Sequence, residues 1–488
     1  MAKGPFRSLA ERVAFYWFAF FNFFLFLFLF LKNGAYTKGE SRQDEAQYAI
    51  EKDRFWNLSK PPLPGFKHYF HTLRSHLKLH YISNRDGPAR GNLVVFFHGF
   101  PDSSMMWRHL FQEKELPLQD ASIVAVDLPG MGGSDSFPKY DTEVLEALTE
   151  FVIAMRDKYI PLDETETTNT IIVGHDWGCV LGFRLASEAP ALADRFILTN
   201  APHVELAFAN RDRVLQSSSK IFKQFRQSPV QNWACLSKSI KTLNPLIQQT
   251  LRMGYIFMFN LPAIFVGHMG TAAKCAFIRG ANNLGYSRKS GEYRAQECKA
   301  SSFGPGPEEC TTSINSSSKP EDMYGSTVLD RAKSHGTAFY QMTGLYRDGA
   351  GTLPWTKSLE TIADLYALET SASESPSPSR RRSSISNGAL FTDPRKGCLK
   401  APTYVLWGEK DTACGKPICL DGLGDYLAKD SEIILLPRAG HWTPVQQESR
   451  AVLAKMINLC AGKNAKPVPK MADKIKEVYE GAVLLAQK

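Results

Sequence analysis

Thr170-Ile171-Ile172-Val173-Gly174-His175-Asp176-Trp177-Gly178 decides the fold. A β-branched run of this kind ends a buried strand. Glycines two positions either side of Asp176 permit a tight strand-to-helix turn that would otherwise force side chains into collision. Val180, Leu181, Phe183, Leu185 and Ala186 then continue a buried helix. A turn of this shape thrusts its central residue out at the top of a sheet, and here that residue is a carboxylate. A carboxylate that attacks an electrophilic carbon makes an ester rather than a tetrahedral intermediate. Five residues match by chance too often to stand alone, so the flanking chain has to agree.

Upstream, Leu93-Val94-Val95-Phe96-Phe97 and Ile123-Val124-Ala125-Val126 are continuous apolar runs, the mark of strands covered on both faces. The first ends in His98-Gly99-Phe100-Pro101-Asp102. The second ends in the glycine-rich loop Asp127-Leu128-Pro129-Gly130-Met131-Gly132-Gly133-Ser134-Asp135. Residues 142 to 157 carry Val144, Leu145, Leu148, Phe151, Val152 and Met155 at helical spacing. Tyr69 to Ile82 alternate as two edge strands, with Leu77, Leu79 and Tyr81 on one face.

Downstream, Phe196-Ile197-Leu198 supplies the next strand, closed by Thr199-Asn200-Ala201-Pro202-His203. The pattern resumes at Thr403-Tyr404-Val405-Leu406-Trp407 and Glu432-Ile433-Ile434-Leu435-Leu436, which run into Gly408-Glu409-Lys410-Asp411 and Gly440-His441-Trp442. This alternation is α/β winding, a mostly parallel doubly wound sheet. The core is expected over 66–205 and 399–462. A helical cap is expected over 206–365, with a low-complexity tract without regular structure at about 285–330. Residues 366–398 read as a disordered insert; within it Arg380-Arg381-Arg382-Ser383-Ser384 looks like a basophilic kinase site, although such runs usually just keep a loop solvated. Residues 463–488 read as a docked terminal helix, with Ile475, Val478, Tyr479, Ala482 and Val483 on one face.

A basic segment, 1–12, precedes Val13 to Leu31, which are almost all apolar and interrupted by Asn22. As a helix these residues reach about 28 Å at about 1.5 Å each, enough to cross a bilayer as a single-pass anchor. The competing signal peptide is disfavoured, because the run is long and no small-x-small site follows it before Lys32. The Pro-punctuated residues 32–65 then read as a tether. The expected location is a membrane, that of the endoplasmic reticulum, with the side left open. Lys3, Arg7 and Arg12 lean toward a cytosolic N-terminus, and the sequons at Asn57 and Asn315 permit a lumenal body. The net charge of +9 comes without a concentrated basic, aromatic-interleaved face, so no nucleic-acid partner is expected. Nine scattered cysteines with no C-x-x-C pair and no zinc-spaced histidines suggest neither disulfides nor a metal.

Singly, a strand-end Asp is usually a turn residue. The order Asp176, Asp411, His441, each just after a strand, is that of nucleophile, acid and histidine in an α/β-hydrolase. With the His98-Gly99-Phe100-Pro101 turn and the glycine-rich loop, the chain resembles an epoxide hydrolase of the α/β-hydrolase superfamily, in its membrane-anchored, Asp-nucleophile branch. The resemblance covers about 66–205 and 400–460. It implies that Asp176 forms an ester with a small lipophilic epoxide and that His441, oriented by Asp411, activates the water that cleaves it. The backbone N–H groups of Phe100 and Trp177 would form the oxyanion hole, with His98 shaping that loop. Two cap tyrosines would polarise the ring oxygen: Tyr255, and either Tyr346 or Tyr340. Trp177, Trp442 and Phe259 are the expected substrate contacts, and no cofactor is implied. A haloalkane dehalogenase shares the Asp and the following Trp, but would carry Asn where this chain has Phe100. A hydrolase-like binding protein without turnover is the alternative outside enzymes.

Overall fold

The structure, a computed structural model, describes residues 9–37, 40–161, 168–286, 292–315, 317, 319–373, 396–462 and 470–488. Its strands are β1 (Lys67–Thr72), β2 (Lys78–Ser83), β3 (Asn92–Phe97), β4 (Ala121–Val126), β5 (Thr170–His175), β6 (Arg195–Thr199), β7 (Thr403–Gly408), β8 (Glu432–Leu436) and β9 (Val483–Gln487). They form one sheet in the order β1-β2-β4-β3-β5-β6-β7-β8-β9. Every pair from β4 to β8 is parallel, while β1, β2 and β9 add antiparallel edges. Alternate residues of β3 serve opposite faces: Leu93, Val95 and Phe97 join one hydrophobic cluster, Val94 and Phe96 the other. Period-2 geometry together with cover on both faces explains why the run is apolar throughout. This is an α/β-hydrolase fold.

The helices that matter below are α1 (Leu9–Lys32), α2 (Arg42–Trp56), α3 (Glu143–Tyr159), α4 (Trp177–Glu188), α5 (Val204–Gln227), α6 (Trp233–Thr242), α7 (Asn244–Arg252), α8 (Gly254–Phe259), α9 (Ala263–Gly285), α10 (Ala295–Phe303), α11 (Leu359–Ser373) and α12 (Met471–Lys476). α5 to α10 lie in the helical region inserted after β6. α9 is interrupted at Ala272–Cys275, where the backbone leaves helical angles.

The structure corrects the sequence reading in four places. The supposed tether contains α2, opened by a reciprocal capping box between Ser41 and Asp44 and burying Phe55 and Trp56. Its few apolar residues are too widely spaced to show a period, and the helix is held by distant partners: the Trp56 indole donates to Ala300 O at 2.9 Å. Burying a side chain of that size contributes on the order of 2–3 kcal/mol. Within the tract at 285–330, α10 is buried along its whole length. Its charged residues are there because they are paired, Glu297 with Arg108 and Lys299 with Glu40.

At the far end, the expected terminal helix is the short α12 followed by a strand. Glu432 accepts hydrogen bonds from the backbone N–H groups of Met471 and Ala472 at 2.7 and 2.9 Å, and β9 satisfies the open edge of β8. Finally, α11 runs on to Ser373, past the start of the expected disordered insert. The arginine run at 380–382 lies outside the described residues.

The apolar N-terminal segment is one 24-residue helix, α1. One stripe of it, Phe15, Ala19, Asn22, Phe23, Phe26 and Phe30, turns inward against the protein. Phe15 and Phe18 flank Phe257 of α8, with ring centroids at 5.2 and 4.9 Å. Phe23 meets Phe265 and Phe26 meets Phe277 of α9, both at 5.5 Å.

Candidate active site

The turn after β5 places Asp176 at φ +49° and ψ −117°, a backbone conformation that non-glycine residues rarely adopt. Close approach makes it possible. A Cβ on Gly178 would lie 2.0 Å from Phe97 O, and one on Gly99 would lie 2.4 Å from the Asp176 Cβ. Both glycines are therefore steric requirements of the elbow.

The loops after β3, β5, β7 and β8 bring four sequence-predicted residues together: Phe100, Asp176, Asp411 and His441. Phe100 N–H donates to Asp176 Oδ1 at 2.8 Å. His441 Nε2 stands 3.6 Å from Asp176 Oδ2, and its Nδ1 bonds Asp411 Oδ2 at 2.8 Å. Trp177 opens α4, a position whose N–H has no intrahelical acceptor. His98 links Leu128 N–H to Gly99 O at 2.9 Å each, which ties the two strand-end loops together.

Asn200 was not singled out from the sequence. It closes β6 with φ +49° and donates to Asp411 Oδ2 at 2.8 Å. Its strand-end place beside the elbow was the available signal. Asp411 Oδ1 accepts from Ala413 and Cys414 N–H, each at 2.7 Å. All four lone-pair directions of this carboxylate are thus engaged. Asp411, Cys414 and His441 sit close enough to be weighed as a metal set. Those four bonds, and a thiol whose pKa is pushed well up by its bond to Cys419 and by burial, fit a hydrogen-bonded triad rather than a ligand set.

Burial opposes charge on His441, but Asp411 and Asp176 outweigh it and raise the imidazole to about 10. Burial likewise disfavours an ionised Asp411, and the facing imidazole more than offsets this, lowering its pKa. His175, with its ring centroid 5.1 Å from that of His441, is driven well below the ordinary histidine value by burial and stays neutral. Asp102 is pushed up to about 7, chiefly by burial. A histidine titrating at about 10 in the fold and at about 6.5 when unfolded stabilises the fold fully below pH 6.5 and loses that contribution as the pH climbs to 10. Melting temperatures compared across pH 7 to 10 are expected to fall more steeply for the parent protein than for His441→Gln; parallel curves would refute the linkage.

The cap closes over Asp176 with aromatic rings. Tyr255 and Tyr346 have centroids 6.0 Å apart, and Tyr346 meets Trp177 at 4.9 Å and Phe100 at 5.4 Å. Phe259 touches Phe100, Tyr255 and Tyr346 at 5.3 to 5.5 Å. Burial, and then the Asp176 charge, raise both phenols well above 10, so each keeps its proton at neutral pH. Tyr340 lies elsewhere, its ring stacked on the Arg347 guanidinium at 3.8 Å. Trp442, an expected substrate contact, lies beside the histidine. Its ring abuts His441 at 4.9 Å but belongs to the other hydrophobic cluster, against Gly285, and it hydrogen-bonds Asp102.

A family profile described as an alpha/beta hydrolase fold matches residues 92–242, a span that holds the elbow but neither Asp411 nor His441. Epoxide hydrolase 3 of Mus musculus is 31% identical over 144 residues, 28% of this chain and 36% of that protein. Epoxide hydrolase 4 of Mus musculus is 28% identical over 176 residues, 35% of this chain and 46% of its own. The chain thus spans about a quarter to a half of the length of the curated relatives it matches. A crystal structure of an epoxide hydrolase from Bacillus megaterium covers 80% of this chain and 97% of that one, at 18% identity and a TM-score of 0.45. The chain is thus a distant relative of epoxide hydrolases in sequence, on an α/β-hydrolase fold.

Proposed function

We propose that this chain is a membrane-attached epoxide hydrolase that converts epoxides to vicinal diols through an ester on Asp176. The observation that carries the reading is a carboxylate facing two protonated tyrosines on one side and a histidine–aspartate pair on the other. Phe100 N–H holds Oδ1, which leaves Oδ2 to attack a ring carbon in line with the breaking C–O bond. Tyr255 and Tyr346 hydrogen-bond the ring oxygen and supply the proton that the opening alkoxide needs.

Esterification then changes the electrostatics of the site. The resting imidazole is held protonated between two carboxylates and cannot act as a base. Alkylation neutralises Asp176, so one of the two charges that raised His441 disappears. The histidine can then pass its proton, by way of solvent, to the tyrosinate left by ring opening. Now neutral, it takes a proton from the water that attacks the ester carbonyl, whose oxygen already sits on Phe100 N–H. Asp411 remains to orient the ring and stabilise the imidazolium that re-forms.

The anchor-like α1 favours a lipophilic substrate drawn from a membrane. The full chain, incubated with lipid and aryl epoxides and in parallel with haloalkanes, is expected to release diol and no halide. Halide release without diol would favour the dehalogenase, and no product from either would favour a binding protein. Tyr255→Phe is expected to slow ester formation about a hundredfold while leaving hydrolysis of a preformed ester nearly unchanged. Equal loss in both steps, resolved by single-turnover kinetics, would remove Tyr255 from that role.

A further inference from the structure

The cap helices α5 to α7 are built inside out for a protein surface in water. Their buried residues include Asn210, Ser218, Ser239 and Gln249, while Phe222, Trp233, Ile240 and Leu251 point outward. α5 and α6 meet through the hydroxyls of Ser218 and Ser239, 2.9 Å apart. The outward residues are ordered: Phe208, Leu215 and Phe222 recur every seventh position on α5, as do Trp233 and Ile240 on α6, so each set shares a face. Small polar residues between helices and large apolar ones outside is the packing of helices in lipid. The same stretch, 204–252, contains eight Lys or Arg and two Asp or Glu, which is most of the excess positive charge of the chain. Apolar anchors interleaved with cations match a leaflet of anionic lipid.

α1 packs on α8 and α9, the cap helices that follow α7. It is long and apolar enough to cross a membrane, yet 17% of its most apolar window is buried in the protein, so it is not a core helix. Its docked stripe runs from Phe15 to Phe30. That is about 22 Å of helix, most of the hydrocarbon thickness of about 30 Å. Asn22, the polar interruption, is part of the docking: its side chain occupies the space where a Cβ on Gly254 would fall, 2.1 Å away, and its amide donates to Phe18 O at 2.8 Å. A helix crossing the bilayer in this pose would carry the cap, with Lys274 and Arg279 of α9, into hydrocarbon.

We propose that α1 lies in the plane of the membrane rather than across it, as the outer wall of the cap, and that with the outward faces of α5 to α7 it forms one surface seated in an anionic leaflet. This rests on the membrane attachment proposed above. α8, which carries Tyr255, is then held directly beneath lipid, and an acyl-chain substrate reaches the aromatic cage without crossing water.

Two measurements on the full chain test this. With epitope tags at both ends and translation into sealed microsomes, externally added protease is expected to digest both tags or spare both. One tag digested and the other spared means a spanning helix and overturns the proposal. Hydroxyl-radical footprinting of the protein on phosphatidylserine-containing vesicles compares Trp233 and Tyr366, which are 68% and 67% exposed in the protein. After normalisation for intrinsic reactivity, Trp233 is expected to be oxidised at least fivefold more slowly; equal rates overturn the proposal. A chain that does not sediment with vesicles overturns the membrane attachment as well. Neither readout uses epoxide turnover, so failure of the enzymatic reading alone would leave these outcomes intact.

Discussion

Replacing His441 by Gln is expected to leave the protein carrying its own substrate. Intact-protein mass spectrometry after incubation with a reactive epoxide should show an increase equal to the mass of that epoxide, stoichiometric with protein, with diol limited to one equivalent or less. The geometry makes the two half-reactions separable. In the proposed mechanism Oδ2 attacks carbon without help from a base, whereas ester hydrolysis requires a group that can take a proton from water. Gln fills similar space and can bond Asp411, so the carboxylate is not left bare, but its amide has no basic nitrogen. Turnover is expected to fall by on the order of 10⁴-fold or more. An unmodified mass together with lost activity would mean that His441 is needed before the ester forms, which would sink the proposed order of steps.

Asp176→Ala removes the proposed nucleophile and is expected to abolish both diol and adduct, with a loss on the order of 10⁴ to 10⁶. The alternative to separate is unfolding, because Asp176 sits at φ +49°. Alanine tolerates that backbone at a cost of about 1–3 kcal/mol, so a stability measurement must accompany the assay. Asp176→Asn provides the control: it keeps the shape and an oxygen for the Phe100 contact, and cannot attack. Retained turnover in freshly prepared Asn protein would place the covalent chemistry elsewhere.

The parallel strands and the elbow were legible because their signals are local. A β-branched or apolar run followed by Gly or Asp states both strand and strand end, and Asp176, Asp411 and His441 each stand one short step beyond such a run. α2, α10 and β9 were illegible because each exists by virtue of something remote. α2 is held by Ala300 and α10 by Arg108 and Glu40, while β9 exists only because β8 offers an unpaired edge. Charged residues in α10 read as solvated tract until their partners are in view. Tyr340 and Tyr346 differ by less than two helical turns, and no local pattern says which one the cap turns toward Asp176.

The ion pair between Lys299 and Glu40, at 3.1 Å and largely buried, governs how firmly α1 is held. It clamps the chain to the buried helix α10 a few residues beyond Lys32, where α1 ends. Docking of α1 onto the cap is therefore an intramolecular association, with an effective concentration on the order of millimolar from so short a connection. Even a helix–helix contact too weak to survive between separate molecules would remain closed at that concentration. A partner helix or a lipid pocket competing for the Phe257 and Phe265 face would have to bind more tightly than millimolar simply to displace it.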